Sequence, residues 1–284
     1  MGNKGFCVFI LSHGRPNNVR TLKALQKSNY TGDWYIVIDN EDKTAAEYYK
    51  RFGKDKIIMF DKLAVSEIFD TADNFKERRT VVYARNACFG IARELGYKYF
   101  LELDDDYVWF SYRKIVDGKF IKVDCKNIDK VFNLMMMFLD ISGAASVAFA
   151  QGGDFIGGKD NKNYSKGILR KAMNSFFCRT DREFKFIGRV NEDVNTYCKL
   201  GNMGELFFTI TRFCLVQEPT QKQKGGMSEQ YLDSGTYLKS FYPVMLTPSC
   251  VTISMMGEKH KRLHHKIMWD KCVPKILSDK YKKA

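Results

Sequence analysis

Short apolar runs alternate with segments of helical period along the first hundred residues, and this alternation limits the possible folds more than any other feature. Four runs have the length and composition of buried strands, namely Phe6–Leu11, Tyr35–Ile38, Ile57–Phe60 and Tyr99–Leu103. The helical segments between them are residues 16–26, 45–52 and 80–95. Strands joined in this way lie parallel in one sheet with helices on both faces. The pattern therefore predicts an α/β fold with a Rossmann-like, mostly parallel sheet.

The second half of the chain has a less regular pattern. Residues 123–141 and 191–200 have helical character, and Val147–Ala150 has the character of a strand. Residues 217–230, rich in Gln, Lys and Gly, have the composition of a mobile loop. Because no internal repeat and no Pro/Gly/Ser linker separates the halves, we expect a single domain with a cleft over residues 1–284.

The composition is that of an ordinary globular protein, in which 45% of the 284 residues are hydrophobic and 28% are charged. No uncharged stretch has the length of a membrane span, and the N-terminus lacks the pattern of a signal peptide, so we expect no membrane partner. The eight cysteines include no Cys-x-x-Cys pair, which predicts neither a zinc site nor a redox motif. Reduced thiols in a cytoplasmic protein are the simpler interpretation.

The net charge of +13 is concentrated in two segments. Residues 159–189 and residues 257–284 each contain nine Lys or Arg against three acidic residues, so together they carry +12 of that charge. Clustered positive charge favours a polyanionic partner. The last ten residues are better interpreted as a solvated tail. The candidate nucleic-acid contacts are Lys159, Lys162, Lys166, Arg170, Lys171, Lys259, Lys261 and Arg262.

Polar residues follow the predicted strands at the point where each strand ends. In a parallel α/β sheet, ligands bind at the carboxyl ends of the strands. Residues from four separate strands are therefore expected to converge on one edge of the sheet. They are Ser12-His13-Gly14-Arg15, Asp39, Asp61 and Asp104-Asp105-Asp106.

The three consecutive aspartates follow a buried strand and must be exposed or neutralised. Because such carboxylates repel one another, they favour a cationic partner, and a divalent metal that bridges to phosphate is the commonest one. Asp104 and Asp106 are the outer members of an Asp-x-Asp arrangement, which also occurs as an ordinary acidic turn. Arg85 and Asn86 precede this strand on a helix, where their donors suit a phosphate or ribose, or where the arginine simply faces solvent.

Two further groups have a functional and a structural interpretation. Asn191 is a good N-cap, and Glu192 and Asp193 in the first helical turn favour the helix dipole. The same acids are also candidates for the general base that deprotonates an incoming hydroxyl. His260 lies among basic residues, where it is either a metal or phosphate ligand or a chance occurrence.

Taken in order, these residues resemble the GT-A fold of nucleotide-sugar-dependent glycosyltransferases. The similarity spans roughly residues 6–200, and only the whole ordered set is specific. The Ser-His-Gly-Arg opening and the basic charge further resemble the TET-associated glycosyltransferases, phage and bacterial enzymes that glycosylate modified DNA bases. The set consists of Ser12 to Pro16, Asp39, Arg85-Asn86, Leu103 to Asp106 and Glu192-Asp193.

The resemblance implies a role for each matching residue. Asp106, with Asp104, binds Mn²⁺ or Mg²⁺ on the diphosphate, and His260 falls where many members place a late metal ligand. Asp193, beside Glu192, matches the residue that is usually the base of an inverting transfer. The implied nucleotide-sugar contacts are Ser12, His13, Gly14, Arg15, Asp39, Arg85, Asn86, Asp104 and Asp105.

The resemblance also implies which part of the domain binds the donor and which part binds the acceptor. Residues 1–110 form the half that binds a nucleoside-diphosphate sugar, with a UDP-sugar as the first expectation. Residues 111–256 form the acceptor and catalytic half, followed by a basic segment over residues 257–284. The implied location is the cytoplasm of a bacterium or of a phage-infected host cell.

The leading hypothesis is a metal-dependent glycosyltransferase that acts on a hydroxymethyl-type pyrimidine in DNA, or on a sugar already attached to one. One alternative is transfer to a surface polysaccharide or a lipid-linked sugar. A nucleotidyltransferase uses similar carboxylate-metal chemistry, and a non-enzymatic DNA-binding protein explains the charge but not the aspartates. The sequence leaves open the sugar, the anomeric outcome and the oligomeric state.

Overall fold

The computed structural model describes residues 4–73, 76, 78–151, 173–217, 227–257 and 261–276. Its strands are β1 (Lys4–Leu11), β2 (Asp33–Asp39), β3 (Ile57–Phe60), β4 (Tyr97–Asp104), β5 (Tyr107–Val116), β6 (Lys119–Asp124), β7 (Ser146–Gln151), β8 (Phe176–Arg179), β9 (Phe207–Gln217), β10 (Val251–Met256) and β11 (Arg262–Ile267). Its α-helices are α1 (Arg20–Lys27), α2 (Ala45–Phe52), α3 (Lys62–Ser66), α4 (Val82–Leu95), α5 (Ile128–Ser142), α6 (Glu192–Asn202) and α7 (Met227–Leu246).

The predicted α/β fold is confirmed. Within the described residues, nine strands form one sheet in the order β3-β2-β1-β4-β8-β7-β9-β5-β6. The strands β3, β2, β1 and β4 are parallel, as predicted. The remainder is mixed, because β8 is antiparallel to β4 and β7, β7 is parallel to β9, and β5 is antiparallel to β9 and β6. The carboxyl ends of β1, β2, β4, β7 and β9 therefore open on the same edge.

Both faces of the sheet are covered by helices, as the alternation along β1 illustrates. Val8 and Ile10 pack in a cluster with buried residues of α1, α2 and α5. Phe9 and Leu11 pack in a second cluster with buried residues of α4 and α6. Because successive side chains of a strand point to opposite faces, one strand contributes to both clusters.

A β-hairpin occupies the region in which the sequence predicted the start of a helix. The strands β5 and β6 pair with Ser111 opposite Asp124, and α5 begins only at Ile128. The prediction of a helix over residues 123–141 is therefore wrong at its N-terminal end. Asp117-Gly118 connects the two strands with φ angles of 50° and 75°. An Asp-Gly pair between alternating apolar residues is a strong hairpin signal that the sequence analysis passed over.

Two other predicted boundaries differ from those of the structure. The helix α1 begins at Arg20 and not at Pro16. The backbone N–H of Arg20 donates to the carbonyl oxygen of Asp105 at 2.8 Å. The predicted loop over residues 217–230 overlaps the last residue of β9 and the start of α7. The rest of that loop lies outside the described residues.

The predicted division of the domain into two halves and a basic segment stays a prediction. Its first boundary, after residue 110, falls inside β5, and its second falls between β10 and β11, which pair as one antiparallel hairpin. Among the described helices, none combines the length and apolar character that crossing a bilayer requires.

Candidate active site

The three aspartates of the triplet have different surroundings. Asp105 is buried, accepts a hydrogen bond from Ser12 Oγ at 2.6 Å and lies 3.0 Å from the Arg15 guanidinium. Burial raises the pKa of Asp105 to about 7, although Arg15 and Ser12 act in the opposite direction. Because its backbone carbonyl also accepts the N–H groups of Arg20 and Thr21, Asp105 joins the first loop and α1 to the end of β4.

Asp104 and Asp106 face a different set of groups. Asp104 ends β4 and keeps 22% of its side chain exposed. Asp106 accepts hydrogen bonds from Gln217 Nε2 on both carboxylate oxygens, each at 3.0 Å. Burial and the neighbouring negative charge of Asp104 raise the pKa of Asp106 to about 6. These two carboxylates therefore repel each other at the edge of the sheet where ligands are expected.

A chain of side-chain amides borders these carboxylates and was missed by the sequence analysis. Gln151 Nε2 donates to Asn174 Oδ1, and Asn174 Nδ2 donates to Gln217 Oε1, both at 3.0 Å. Gln151 and Gln217 are the last residues of β7 and β9. The rule that ligand-binding residues follow strand ends therefore applied to both, but β9 itself was not predicted.

Arg85 of α4 connects the end of β4 to the start of α6. Its guanidinium is 2.9 Å from Asp104 Oδ1, 3.1 Å from Glu192 Oε1 and 3.6 Å from Glu102 Oε2. The side chain is 1% exposed and lies against the rings of Phe176 and Phe186. The solvent-facing interpretation of Arg85 is therefore wrong.

The charges around Arg85 do not balance, because three carboxylates share one guanidinium. Burial opposes the charge of Arg85, but the attraction of Asp104, Glu192 and Glu102 outweighs it and raises its pKa. Burial raises the pKa of Glu102 to about 8, and neither of its oxygens has a hydrogen-bond partner among the described residues. Burial and the charge of Asp193 raise the pKa of Glu192 to about 7. The cluster therefore retains protons near neutral pH.

The predicted Glu-Asp pair opens α6, as expected. Asn191 precedes it with φ 55° and ψ 43°, a left-handed conformation that Asn tolerates better than most residues. Glu192 turns to Arg85, while Asp193 stays half-buried and accepts a hydrogen bond from the Val194 N–H at 2.8 Å. Burial raises the pKa of Asp193. The two acids thus have separate surroundings, and Asp193 is the one without a cationic hydrogen-bond partner among the described residues.

Positive charge lies on the far side of Asp193. Asn191 Nδ2 donates to the backbone carbonyl of Lys239 in α7, which brings this helix to the start of α6. Burial lowers the pKa of Lys239, Asp193 and Glu192 oppose that shift, and Arg262 at the start of β11 adds to it. Lys239 therefore borders the Glu-Asp pair, and Arg262 lies close to Lys239.

The first-strand loop and Asp39 form a second group of polar residues at this edge of the sheet. His13 Nδ1 lies 2.7 Å from Asp39 Oδ2, and the buried Lys62 Nζ lies 3.2 Å from the same oxygen. Although burial opposes it, the hydrogen bond with His13 and the charge of Lys62 lower the pKa of Asp39. Gly14, with φ 70°, donates its N–H to Asp42 Oδ2 at 2.8 Å, which fixes the loop. Their contact with a nucleotide stays a prediction.

Two further predicted residues have structural contacts. Asn86 is buried, and its amide exchanges hydrogen bonds of 3.0 and 2.9 Å with the backbone of Phe186. It therefore fixes the segment beside Arg85, and a nucleotide contact by Asn86 stays a prediction. Asp61 accepts the N–H of Ala64 and caps α3.

Most of the predicted basic contacts lie outside the described residues, as does His260. Lys261 and Arg262 are described, and both are exposed at the start of β11. The residues that lie outside are Lys159, Lys162, Lys166, Arg170, Lys171 and Lys259.

The donor set at Asp104 and Asp106 fits a hard divalent cation. Carboxylate oxygens are the ligands that Mg²⁺ and Mn²⁺ prefer, and Mg²⁺ is commonly held by one or two carboxylates together with substrate phosphates. The raised pKa of Asp106, caused in part by Asp104, marks a repulsion that such a cation relieves.

The comparisons with known proteins identify the family. The sequence model of the TET-associated glycosyltransferases matches residues 6–226, which is more than half of the chain. The chain therefore belongs to this family and is a glycosyltransferase, which sets aside the nucleotidyltransferase and the non-enzymatic DNA-binding protein. The family implies a nucleotide-sugar donor and a DNA-related acceptor. A comparison with curated proteins gives no match.

Proposed function

We propose that this TET-associated glycosyltransferase moves a sugar from a nucleoside-diphosphate sugar to a hydroxyl on a hydroxymethyl-type pyrimidine in DNA, or on a sugar already attached to one. The observation that carries the proposal is the convergence of Asp104 and Glu192 on Arg85, at 2.9 and 3.1 Å. This contact joins the end of β4 to the start of α6. Groups suited to a diphosphate and to an acceptor hydroxyl therefore belong to one cluster.

On the donor side, Asp104 and Asp106 hold Mn²⁺ or Mg²⁺, which when bound neutralises negative charge on the diphosphate leaving group. Gln217 orients both oxygens of Asp106, and Asn174 links Gln217 to the Asp104 side. Arg15 stays beside Asp105 and holds the first-strand loop toward the nucleotide. A UDP-sugar is the first donor to test.

On the acceptor side, Asp193 takes the proton of the attacking hydroxyl. The hydroxyl oxygen forms a bond to the anomeric carbon while the bond from that carbon to the diphosphate oxygen breaks, and the electron pair leaves with the diphosphate. Because burial raises the pKa of Asp193, its carboxylate is a better proton acceptor than an exposed aspartate. Arg85 holds Glu192 and thereby positions the first turn of α6.

Lys261 and Arg262 supply the positive charge that a DNA backbone requires near the proposed general base, Asp193. Both residues are exposed, whereas burial lowers the pKa of Lys239, a shift that Asp193 opposes and Arg262 increases. Phosphate contacts of this kind hold DNA without reading its sequence. The modified base itself has to leave the stack to reach Asp193.

A transfer assay tests the proposal directly. The full chain is incubated with Mn²⁺, a panel of nucleoside-diphosphate sugars and DNA containing hydroxymethylcytosine, hydroxymethyluracil or their glucosylated forms. Mass spectrometry of the digested nucleosides should show the addition of one sugar to a modified nucleoside, and none with unmodified DNA or without metal. Absence of product from every modified DNA with every donor would contradict the proposal.

A binding assay tests the acceptor side separately. Replacing Lys261 and Arg262 together by Ala should weaken DNA binding and reduce the dependence of log Kd on log salt by about 2. The matched control is Lys54→Ala, which removes an exposed lysine beside the edge strand β3. Equal salt dependence in all three proteins would exclude these two residues from the DNA contact.

A further inference from the structure

Three cysteines from distant parts of the sequence meet behind the helix that carries Asp193. Cys198 lies in α6, Cys250 directly precedes β10, and Cys272 follows the 3₁₀ turn Trp269–Lys271. All three are buried free thiols, and their sulfur atoms lie within 4.8 Å of one another. Among the described residues, this is the one group of three or more His, Cys, Asp or Glu side chains with metal-ligand spacing. The lack of a Cys-x-x-Cys pair in the sequence therefore does not prevent three thiols from meeting in the fold.

No local sequence signal marks this cluster. Linear motifs identify zinc ligands that lie two to four residues apart. Here the spacings are 52 and 22 residues, so the ligands come together only through the packing of the C-terminal hairpin on α6.

The surroundings of the three thiols suit metal ligands. Asn202 donates to the Cys250 sulfur at 3.7 Å, and Lys275 adds positive charge near Cys272. Three buried sulfur atoms in mutual contact are a ligand set for a soft or borderline cation.

We propose that Cys198, Cys250 and Cys272 bind one Zn²⁺ through their three sulfur atoms, at a site that stabilises the fold. Sulfur ligands at about 2.3 Å from a tetrahedral zinc lie about 3.8 Å apart, which falls within the observed separation. Aspartate and glutamate oxygens do not contribute, because no acidic residue of the described part belongs to the cluster.

The position of the cluster indicates what the metal does. Cys198 lies on the same helix as Glu192 and Asp193, whereas the other two ligands flank the hairpin β10–β11 that contains Arg262. A Cβ atom at Gly201 would lie 3.0 Å from the backbone oxygen of Cys272, so glycine permits this close approach. The zinc therefore fastens the basic hairpin to the helix that supplies the catalytic base.

Metal analysis of the full chain tests the proposal without reference to activity. The protein is treated with a chelating resin, supplied with excess Mg²⁺ to occupy carboxylates, and titrated with Zn²⁺ or Co²⁺. We expect about one Zn²⁺ per chain by elemental analysis, and thiolate-to-cobalt charge-transfer bands with the visible bands of tetrahedral Co²⁺. Single Ser variants of Cys198, Cys250 and Cys272 should each lose at least about 100-fold in affinity. The matched control is Cys125→Ser, which alters a buried cysteine outside the cluster.

Alkylation of the unmodified protein keeps the test decisive where a variant fails to fold. Zinc should slow the modification of Cys198, Cys250 and Cys272 and leave that of Cys125 unchanged, as peptide mass spectrometry measures. Zinc binding below about one tenth of an equivalent, equal zinc affinity in the Ser variants, or a disulfide between two of the three cysteines in protein purified anaerobically would each overturn the proposal.

Discussion

The two ends of α6 hold clusters of opposite chemistry. At its start, the carboxylate of Glu192 joins those of Glu102 and Asp104 around the single guanidinium of Arg85, and Asp193 follows Glu192. Six residues later, roughly 9 Å along the helix axis, Cys198 meets two other thiols. The first cluster offers hard oxygen donors, among which Glu102 and Glu192 have raised pKa values, and the second offers soft sulfur donors.

This difference in donor chemistry fits the two roles that we propose for α6, one in catalysis and one in stability. The carboxylate cluster keeps more negative charge than its cation balances, which suits it to an exchangeable metal and to proton transfer. The thiol cluster is closed by three chain segments, which suits it to a permanent metal. Substitutions in the carboxylate cluster should therefore change transfer, whereas substitutions in the thiol cluster should change zinc binding.

Replacement of Arg85 by Met should have the largest effect. It leaves the buried Glu102 and Glu192 and the partly exposed Asp104 without their cation, and breaking a buried ion pair by removing one partner costs about 3–5 kcal/mol. We expect a stability loss of that order in chemical denaturation and loss of detectable transfer. Arg93→Met is the matched control on the same helix, because Arg93 is half-exposed and its pairing with Glu183 should contribute about 1 kcal/mol or less. Equal losses of stability and transfer in the two variants would contradict the role of Arg85 as the cation of the buried cluster.

Replacement of Glu102 by Gln should change the pH dependence of stability. Burial raises the pKa of Glu102 to about 8, so its proton stabilises the fold fully below the ordinary value near 4.5, and this stabilisation is lost as pH rises through 8. Gln cannot ionise. The free energy of unfolding of the variant should therefore rise relative to that of the wild type by about 1.4 kcal/mol per pH unit between pH 5 and pH 8. Denaturation across that range measures the difference. Parallel curves would show that Glu102 is ionised in the folded protein.

Replacement of Gln217 by Ala should have a smaller effect, confined to the donor side. The hydrogen bonds from Gln217 lower the pKa of Asp106, which burial and Asp104 raise to about 6. If ionised Asp106 holds the metal, wild-type transfer rises with pH through about 6, and the variant should show the same rise at higher pH, with about tenfold less activity at pH 6. Gln26→Ala, on the exposed face of α1, is the control. An unshifted pH profile would contradict the role of Gln217.

The parts of the molecule that depend on local pattern were the predictable ones. The strands β1 to β4 and the polar residues at their ends follow from apolar runs and from the geometry of parallel sheets. Glu192-Asp193 was likewise placed correctly at the start of a helix. In these regions the residues that form an element also lie next to one another in sequence.

The parts that depend on distant pairing were not predictable. Arg85 was identified, but its burial results from phenylalanines and carboxylates contributed by β4, β8 and α6. The amide chain of Gln151, Asn174 and Gln217 requires the order of β7, β8 and β9 in the sheet. The thiol cluster requires the docking of the C-terminal hairpin, which no local signal specifies.

The central claim is that Asp106 serves the donor and Asp193 serves the acceptor hydroxyl. The most direct test measures metal-dependent binding of the nucleotide sugar and transfer to modified DNA in the same two variants, Asp106→Asn and Asp193→Asn. We predict that Asp106→Asn loses both, whereas Asp193→Asn binds the donor like the wild type but transfers about 100-fold to 10,000-fold more slowly. Full metal-dependent binding by Asp106→Asn, or full transfer by Asp193→Asn, would contradict the account.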